Sequence, residues 1–309
     1  MKIIKNLFLF AFFGLSLFVS SEKVDFSISK KYQDLSSEIF NNISSHHYSR
    51  EIDKENFNDL YIDALLDELD GNKNLFLNYE IKSFKRKSIN YKKNKESFDI
   101  NLAYEILNTY FNRVIEISEF QIKVAKKDSF DLTIDEGIDI FYDDNEYAST
   151  MFELKERWRK TTKNDFVVSV LAKDDEEKII SNLIKRYERR IKRVLQRKDE
   201  DIFLLAINIM TRQFDPHSTY LSPYNAEDFE IDMSLKLGGI GALLSNSATE
   251  DYAMIVSLVP GGPAEKNGEL EPNDKIVKIK QHNEDIFEDV TGWRIDEVVQ
   301  KVRGEPQTF

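Results

Sequence analysis

Near residue 230 the hydrophobic pattern of this chain changes period, and that change limits its architecture more than any other feature. Before it, apolar residues recur three and four apart, as in Leu35, Ile39 and Ile43, then Phe57, Leu60, Tyr61, Leu65 and Leu69. This spacing lines up one face of a helix. Helices are predicted over 102–124, 151–161, 176–197 and 201–213, the last apolar through its centre (IFLLAINIM) and therefore buried. After the change, short runs of Ile, Val and Leu alternate with glycine, and eight of the 11 glycines lie from Gly238 onward. Strands are predicted over 240–244, 253–259 and 275–279. A short helix is predicted at Pro263–Asn267, where proline suits the first helical position, and a longer amphipathic one at 292–302. The class is α+β, an all-helical domain over 22–230 and then a small β domain over 231–309.

Two breaks interrupt the helical part. At Asp70-Gly71-Asn72-Lys73-Asn74, the glycine's access to positive φ predicts a clean helix end. At Phe214-Asp215-Pro216-His217-Ser218, proline predicts a structured loop. Asp215, His217 and Ser218 suggest a hydrolytic triad by type alone. A nucleophile, its base and a third group must face one another in sequence of role, which near-consecutive loop residues do not do, so a capped turn is the expectation.

The composition removes several function classes. The absence of cysteine excludes disulfides, thiolate metal sites and a cysteine nucleophile. The net charge of −12 opposes nucleic-acid binding, which draws its affinity from Lys and Arg displacing counterions. The basic stretches KSFKRKSINYKKNK (82–95) and KRYERRIKRVLQRK (185–198) are expected to be solvated helix faces, with an RNA, lipid or partner surface as the alternative. His46 and His47 lack further ligands at zinc spacing, and Asp139, Asp143, Asp144 and Glu146 lack the calcium loop's sixth-position glycine. No metal or cofactor is expected. Residues 1–21 (MKIIKNLFLFAFFGLSLFVSS) have a basic start, an apolar stretch and Val19 and Ser21 at a cleavage site, a secretory signal too short in its apolar run to span a bilayer comfortably. No later segment is apolar enough to cross a membrane.

The most informative stretch is Gly239-Ile240-Gly241-Ala242, ahead of a strand and some fifty residues ahead of a helix. Backbone N–H groups converge on a carboxylate where glycine lets the chain curl and no side chain blocks the approach. The following strand offers an edge to which an extended peptide can add, and the helix offers an apolar pocket for its last side chain.

The succession GGIGA, MIVSLVPGGPAEKNGELEPNDKIVKI and DVTGWRIDEVVQKVRG resembles the PDZ domain of tail-specific, or carboxy-terminal processing, proteases. Upstream, FDPHSTYLSPYNAEDF resembles the segment before that domain, and LDELDGNKNLFLNYEI resembles part of the family's helical N-terminal domain. Asn273 stands where glycine is usual, and asparagine also accepts a left-handed backbone. The resemblance implies a carboxylate-binding loop at Gly239, Ile240, Gly241 and Ala242, a peptide-binding strand starting at Leu243 and Leu244, and a pocket lined from the helix by Val298, Val299 or Val302. It implies capture of the C-terminal tails of periplasmic proteins for a serine endopeptidase whose nucleophile is activated by a lysine. The family's proteolytic domain is expected after residue 309, with the last PDZ strand also missing, and no residue here matches a catalytic position. The alternatives are a non-catalytic peptide-binding protein and a helical domain that docks an adaptor. The expected location is the periplasm, free or beside the inner membrane.

Overall fold

The computed structural model describes residues 23–48, 56–91, 100–127, 130–138, 146–172, 175–234, 239–247, 251–281 and 284–303. The expected signal at 1–21, the turn at 304–309, and Asp139, Asp143 and Asp144 lie outside the described residues. Eight described helices come first: α1 (Lys30–His46), α2 (Phe57–Asp70), α3 (Asn78–Tyr91), α4 (Asn101–Lys127), α5 (Met151–Leu171), α6 (Glu176–Leu195), α7 (Asp199–Arg212) and α8 (Pro223–Ser234). Then follow β1 (Ala242–Asn246), β2 (Ala253–Leu258), α9 (Pro263–Asn267), β3 (Lys275–Ile276), β4 (Lys278–Ile279), β5 (Glu288–Asp289) and α10 (Ile295–Arg303). The class is α+β, as the change of period predicts. The expected boundary at 230 falls within α8.

Local chemistry starts several helices. The Ser29 hydroxyl accepts the Tyr32 N–H, Thr150 caps Glu153 while Glu153 accepts the Ser149 N–H, and Asp175 caps Lys178. Helix α4 is the spine of the helical part. Its Ile106, Leu107 and Phe111 share one buried core with Leu65 of α2 and with Phe203 and Ile207 of α7. Each such side chain contributes about 1.5–3 kcal/mol on leaving water. Helix α7 is buried as its apolar centre predicts, with Ile202, Phe203, Ala206, Ile207, Ile209 and Met210 all in the interior. Helix α5 continues to Leu171, past the expected end at 161. The threonines that argue against helix there return their hydroxyls to the preceding turn, Thr161 to Arg157 O (2.9 Å) and Thr162 to Trp158 O (2.7 Å). Phe166 then anchors the extra turns against Ile179, Leu183 and Tyr187 of α6.

The end of α2 differs from expectation. Gly71 keeps a right-handed φ of −55°, and the left-handed position falls to Lys73, with φ 53°. Asp70 makes the turn. Its buried carboxylate accepts the N–H groups of Asn74 (2.7 Å), Leu75 (2.9 Å) and Phe76 (2.8 Å). Trp158 of α5 closes the same turn by donating its indole N–H to Asn74 O at 2.7 Å.

The loop after α7 is a capped turn. Asp215 accepts the His217 N–H (2.8 Å), and its other oxygen accepts the Tyr48 hydroxyl (2.5 Å). Ser218 Oγ lies 3.0 Å from Nε2 of His47, a residue far away in sequence. His46 Nδ1 instead meets Asn42 O within its own helix, so the two histidines point to different partners. At the other end of the chain, Asn108 and Asn112, one turn apart on α4, hold the extended segment before α1. Each side-chain amide donates to and accepts from one backbone unit, Asn108 that of Phe26 and Asn112 that of Val24.

In the β region β1, β2 and β3 form an antiparallel sheet in that order, with a register shift between Leu243 and Leu244. The strand expected over 275–279 is split at Val277. β3 pairs with β2, whereas β4 pairs with β5 in a second sheet, so the chain passes from one sheet to the other at that residue. Ala253, Val290 and Val298 centre a separate small core. Among the described residues no helix is long and apolar enough to cross a membrane.

Candidate peptide-binding site

Gly239 and Gly241 both have positive φ, 87° and 74°, a region that glycine enters without steric cost. The curl also brings the loop close to α10, since a methyl group on Gly239 would sit 3.1 Å from Arg303 Cα. The carbonyls of the loop are tied inward. Ile240 O accepts the Ala264 N–H (2.9 Å) and Gly241 O accepts the Val259 N–H (2.8 Å). Among the described residues no hydrogen bond engages the N–H groups of Ile240 or Gly241. Carbonyls tied inward beside amides without a backbone partner are an arrangement in which a backbone can receive an anion.

Strand β1 leaves this loop with one side bonded to β2 and its other side at the sheet edge. Leu243 is 58% exposed, whereas Leu244 packs against the small core. Alternation along the strand therefore separates the two residues expected to begin the groove. On α10, Val298 is 1% exposed and belongs to that core, and Val302 is half-buried against it. Val299 is half-buried and stands outside the cluster. Asn273 has a φ of 78°, the left-handed backbone that glycine or asparagine accepts at the entry to β3.

Helix α10 is held from both ends by charge. Near its C-terminus Lys301 pairs with Glu284 (2.5 Å) and Glu288 (3.1 Å), and these carboxylates raise the Lys301 pKa. Before its N-terminus Arg294 grips Asp201 of α7 through both guanidinium nitrogens, one at 3.0 Å, and also donates to Gln196 O at 3.2 Å. Burial pushes the Asp201 carboxyl up, but the guanidinium and the Lys198 N–H outweigh it and hold the group below its ordinary value. Lys192 to Asp251 (2.8 Å), Lys198 to Glu297 (2.6 Å) and Gln196 Nε2 to Gly292 O (2.9 Å) extend the junction. Sequence reasoning did not find Arg294, because nothing in its neighbours signals a partner on α7.

Comparison with known proteins gives the site its family. Residues 39–224 match the tail-specific protease N-terminal domain, and residues 228–308 match the PDZ domain. A tail-specific protease of Haemophilus influenzae is 31% identical over 283 residues, which are 91% of this chain and 40% of that protein. The carboxy-terminal processing protease CtpA of Bacillus subtilis is 34% identical over 128 residues, 41% of this chain and 26% of that one. The chain thus spans well under half the length of both relatives. The PDZ domain of a carboxy-terminal protease from Vibrio cholerae, solved with a peptide, is 47% identical over 22% of this chain and 66% of its own, with a TM-score of 0.21. With its helical part and its β part each matched in order, the chain belongs to the tail-specific protease family.

Proposed function

We propose that this chain is the recognition portion of a tail-specific serine endopeptidase of the periplasm, reached through the signal at 1–21. It captures the C-terminal tails of protein substrates. The observation that carries the reading is the loop at Gly239–Ala242, where two positive-φ glycines coexist with inward-tied carbonyls and unengaged N–H groups at the start of an edge strand. The terminal carboxylate sits on those N–H groups, the peptide adds to β1, and its last apolar side chain packs between β1 and α10, beside Leu244, Val299 and Val302. Hydrolysis belongs to the family's serine–lysine domain, to which residues 1–309 contribute no assigned catalytic group. The helical domain over 22–230 positions the PDZ domain over 231–309 and offers the surface for any adaptor.

Fluorescence anisotropy with a labelled apolar-tailed decapeptide tests this. The free acid should bind, and the same peptide with an amidated C-terminus should bind at least tenfold more weakly, about 1.4 kcal/mol. Equal binding of acid and amide removes the carboxylate loop from the mechanism.

A further inference from the structure

We infer that this chain reads a second feature of its ligand, an acidic segment upstream of the captured tail, in a basic cleft where α6 meets the far end of the peptide groove. The inference rests on the tail-capture reading. The groove has a direction. Its carboxylate loop abuts the end of α10, through Gly239 and Arg303, while the opposite end of β1, at Asn246 and Ser247, shares a cleft with Ile295 at the start of α10. A peptide whose terminus lies at Gly239–Ala242 therefore runs antiparallel to β1, and its upstream residues leave the strand into that cleft.

The cleft has a volume of about 460 Å³ and carries six cationic side chains against three carboxylates, in a chain whose net charge is −12. All three carboxylates are engaged, Asp251 by Lys192 and both Asp201 and Asp296 by Arg294. Arg186 is paired with Asp165. Arg189, Arg193 and Arg197 line the cleft with no carboxylate at ion-pair distance among the described residues; Arg197 acts on Asp201 only at longer range, and its guanidinium lies over Phe111, 4.9 Å from the ring centre. They project from the stretch 185–198, in which Arg186, Lys192 and Lys198 have carboxylate partners of their own. One half-buried guanidinium, Arg189, and two exposed ones, Arg193 and Arg197, at the mouth of a strand-adding groove match carboxylates on a peptide that continues past it. Five residues of β1 pair with about five of the peptide, so the acidic residues belong roughly six to nine positions from the C-terminus.

The test uses the whole chain and three labelled twelve-residue peptides with the same apolar last four residues. One carries three glutamates about seven residues from its C-terminus, one carries them immediately before the tail, and one carries glutamines throughout. The first should bind about tenfold more tightly than the glutamine peptide, ~1.4 kcal/mol, and the gain should fall to about twofold at 0.5 M salt. In the double variant Arg189→Gln/Arg193→Gln, checked for folding by its thermal transition, the ratio between these two peptides should drop to about twofold. The wild-type comparison needs no variant and stands if that one misfolds. Equal affinity of the distal-glutamate and glutamine peptides, or an equal gain from glutamates at either position, overturns the inference while leaving tail capture intact. Failure of all three peptides to bind overturns both.

Discussion

At the scale of single residues, Asp70 shows two opposed effects on one carboxylate. Burial pushes its pKa from 3.8 to about 6, against three backbone N–H groups that favour the charged form. With the folded value raised above the unfolded one, the folded state holds the proton more tightly. The group's contribution to stability is then greatest below the unfolded value of 3.8, declines as pH rises to about 6 and is flat above. Asp70→Asn keeps one acceptor but turns an amide toward N–H donors, and should cost about 1–3 kcal/mol in urea denaturation. The gap between wild type and variant should narrow as pH rises through that window. A gap that widens instead means that the three N–H groups dominate burial. Asn273 gives a simpler case. Asn273→Ala forces a Cβ residue without asparagine's tolerance into a φ of 78° and should destabilise by about 1 kcal/mol, whereas Asn273→Gly should be nearly neutral in thermal melts.

At the scale of elements, the helices are fastened by buried polar groups as well as by apolar faces. Arg113 of α4 and Glu80 of α3 are 9% and 12% exposed and bond at 2.8 Å, while Glu80 also accepts the Leu77 N–H at the start of α3. Glu80→Ala should cost about 3 kcal/mol, read as a lower denaturant midpoint, because it strands a buried guanidinium with only the longer 3.4 Å contact to Glu116. Replacing both Glu80 and Arg113 by methionine should recover much of that loss. Trp158 fastens α5 to the turn after α2 in the same manner. Trp158→Phe keeps most of the buried surface but leaves Asn74 O without its donor, and should cost about 1–3 kcal/mol.

At the scale of the whole molecule, the helical core around α4 and the small core around Val298 are separate clusters, joined by charged and polar contacts among α6, α7 and the start of α10. Such a junction is sensitive to salt and acid in a way that apolar cores are not. Calorimetry at low salt and neutral pH should show the two cores unfolding close together, and Arg294→Ala should separate them into two transitions. Since Asp201 is held below its ordinary 3.8, its share of the coupling is present above that value and is lost as pH falls through the folded one. Coupling should therefore persist through mildly acid conditions. A single transition in Arg294→Ala would show that the junction does not depend on that pair.

The sequence by itself determined what local pattern encodes. Three-and-four spacing set the helices, glycine and short apolar runs set the β region, Pro263 set α9, and the GGIGA succession pointed to the family. These signals were legible because each depends on near neighbours and on which backbone angles a residue tolerates. The candidate loop was legible for the same reason, through Gly239 and Gly241. Only the tertiary structure decided that Asp70 rather than Gly71 makes the turn after α2, that His47 meets Ser218, that 275–279 divides between two sheets, and that Leu244 and Val298 face inward. It alone brought Arg294 to Asp201 and placed the basic face of α6 beside the end of β1. Apart from the Asp70 turn, where several local patterns could end the helix, those contacts join residues tens of positions apart or more, and a side chain's partner at that range is set by how packed surfaces meet rather than by the pattern around it.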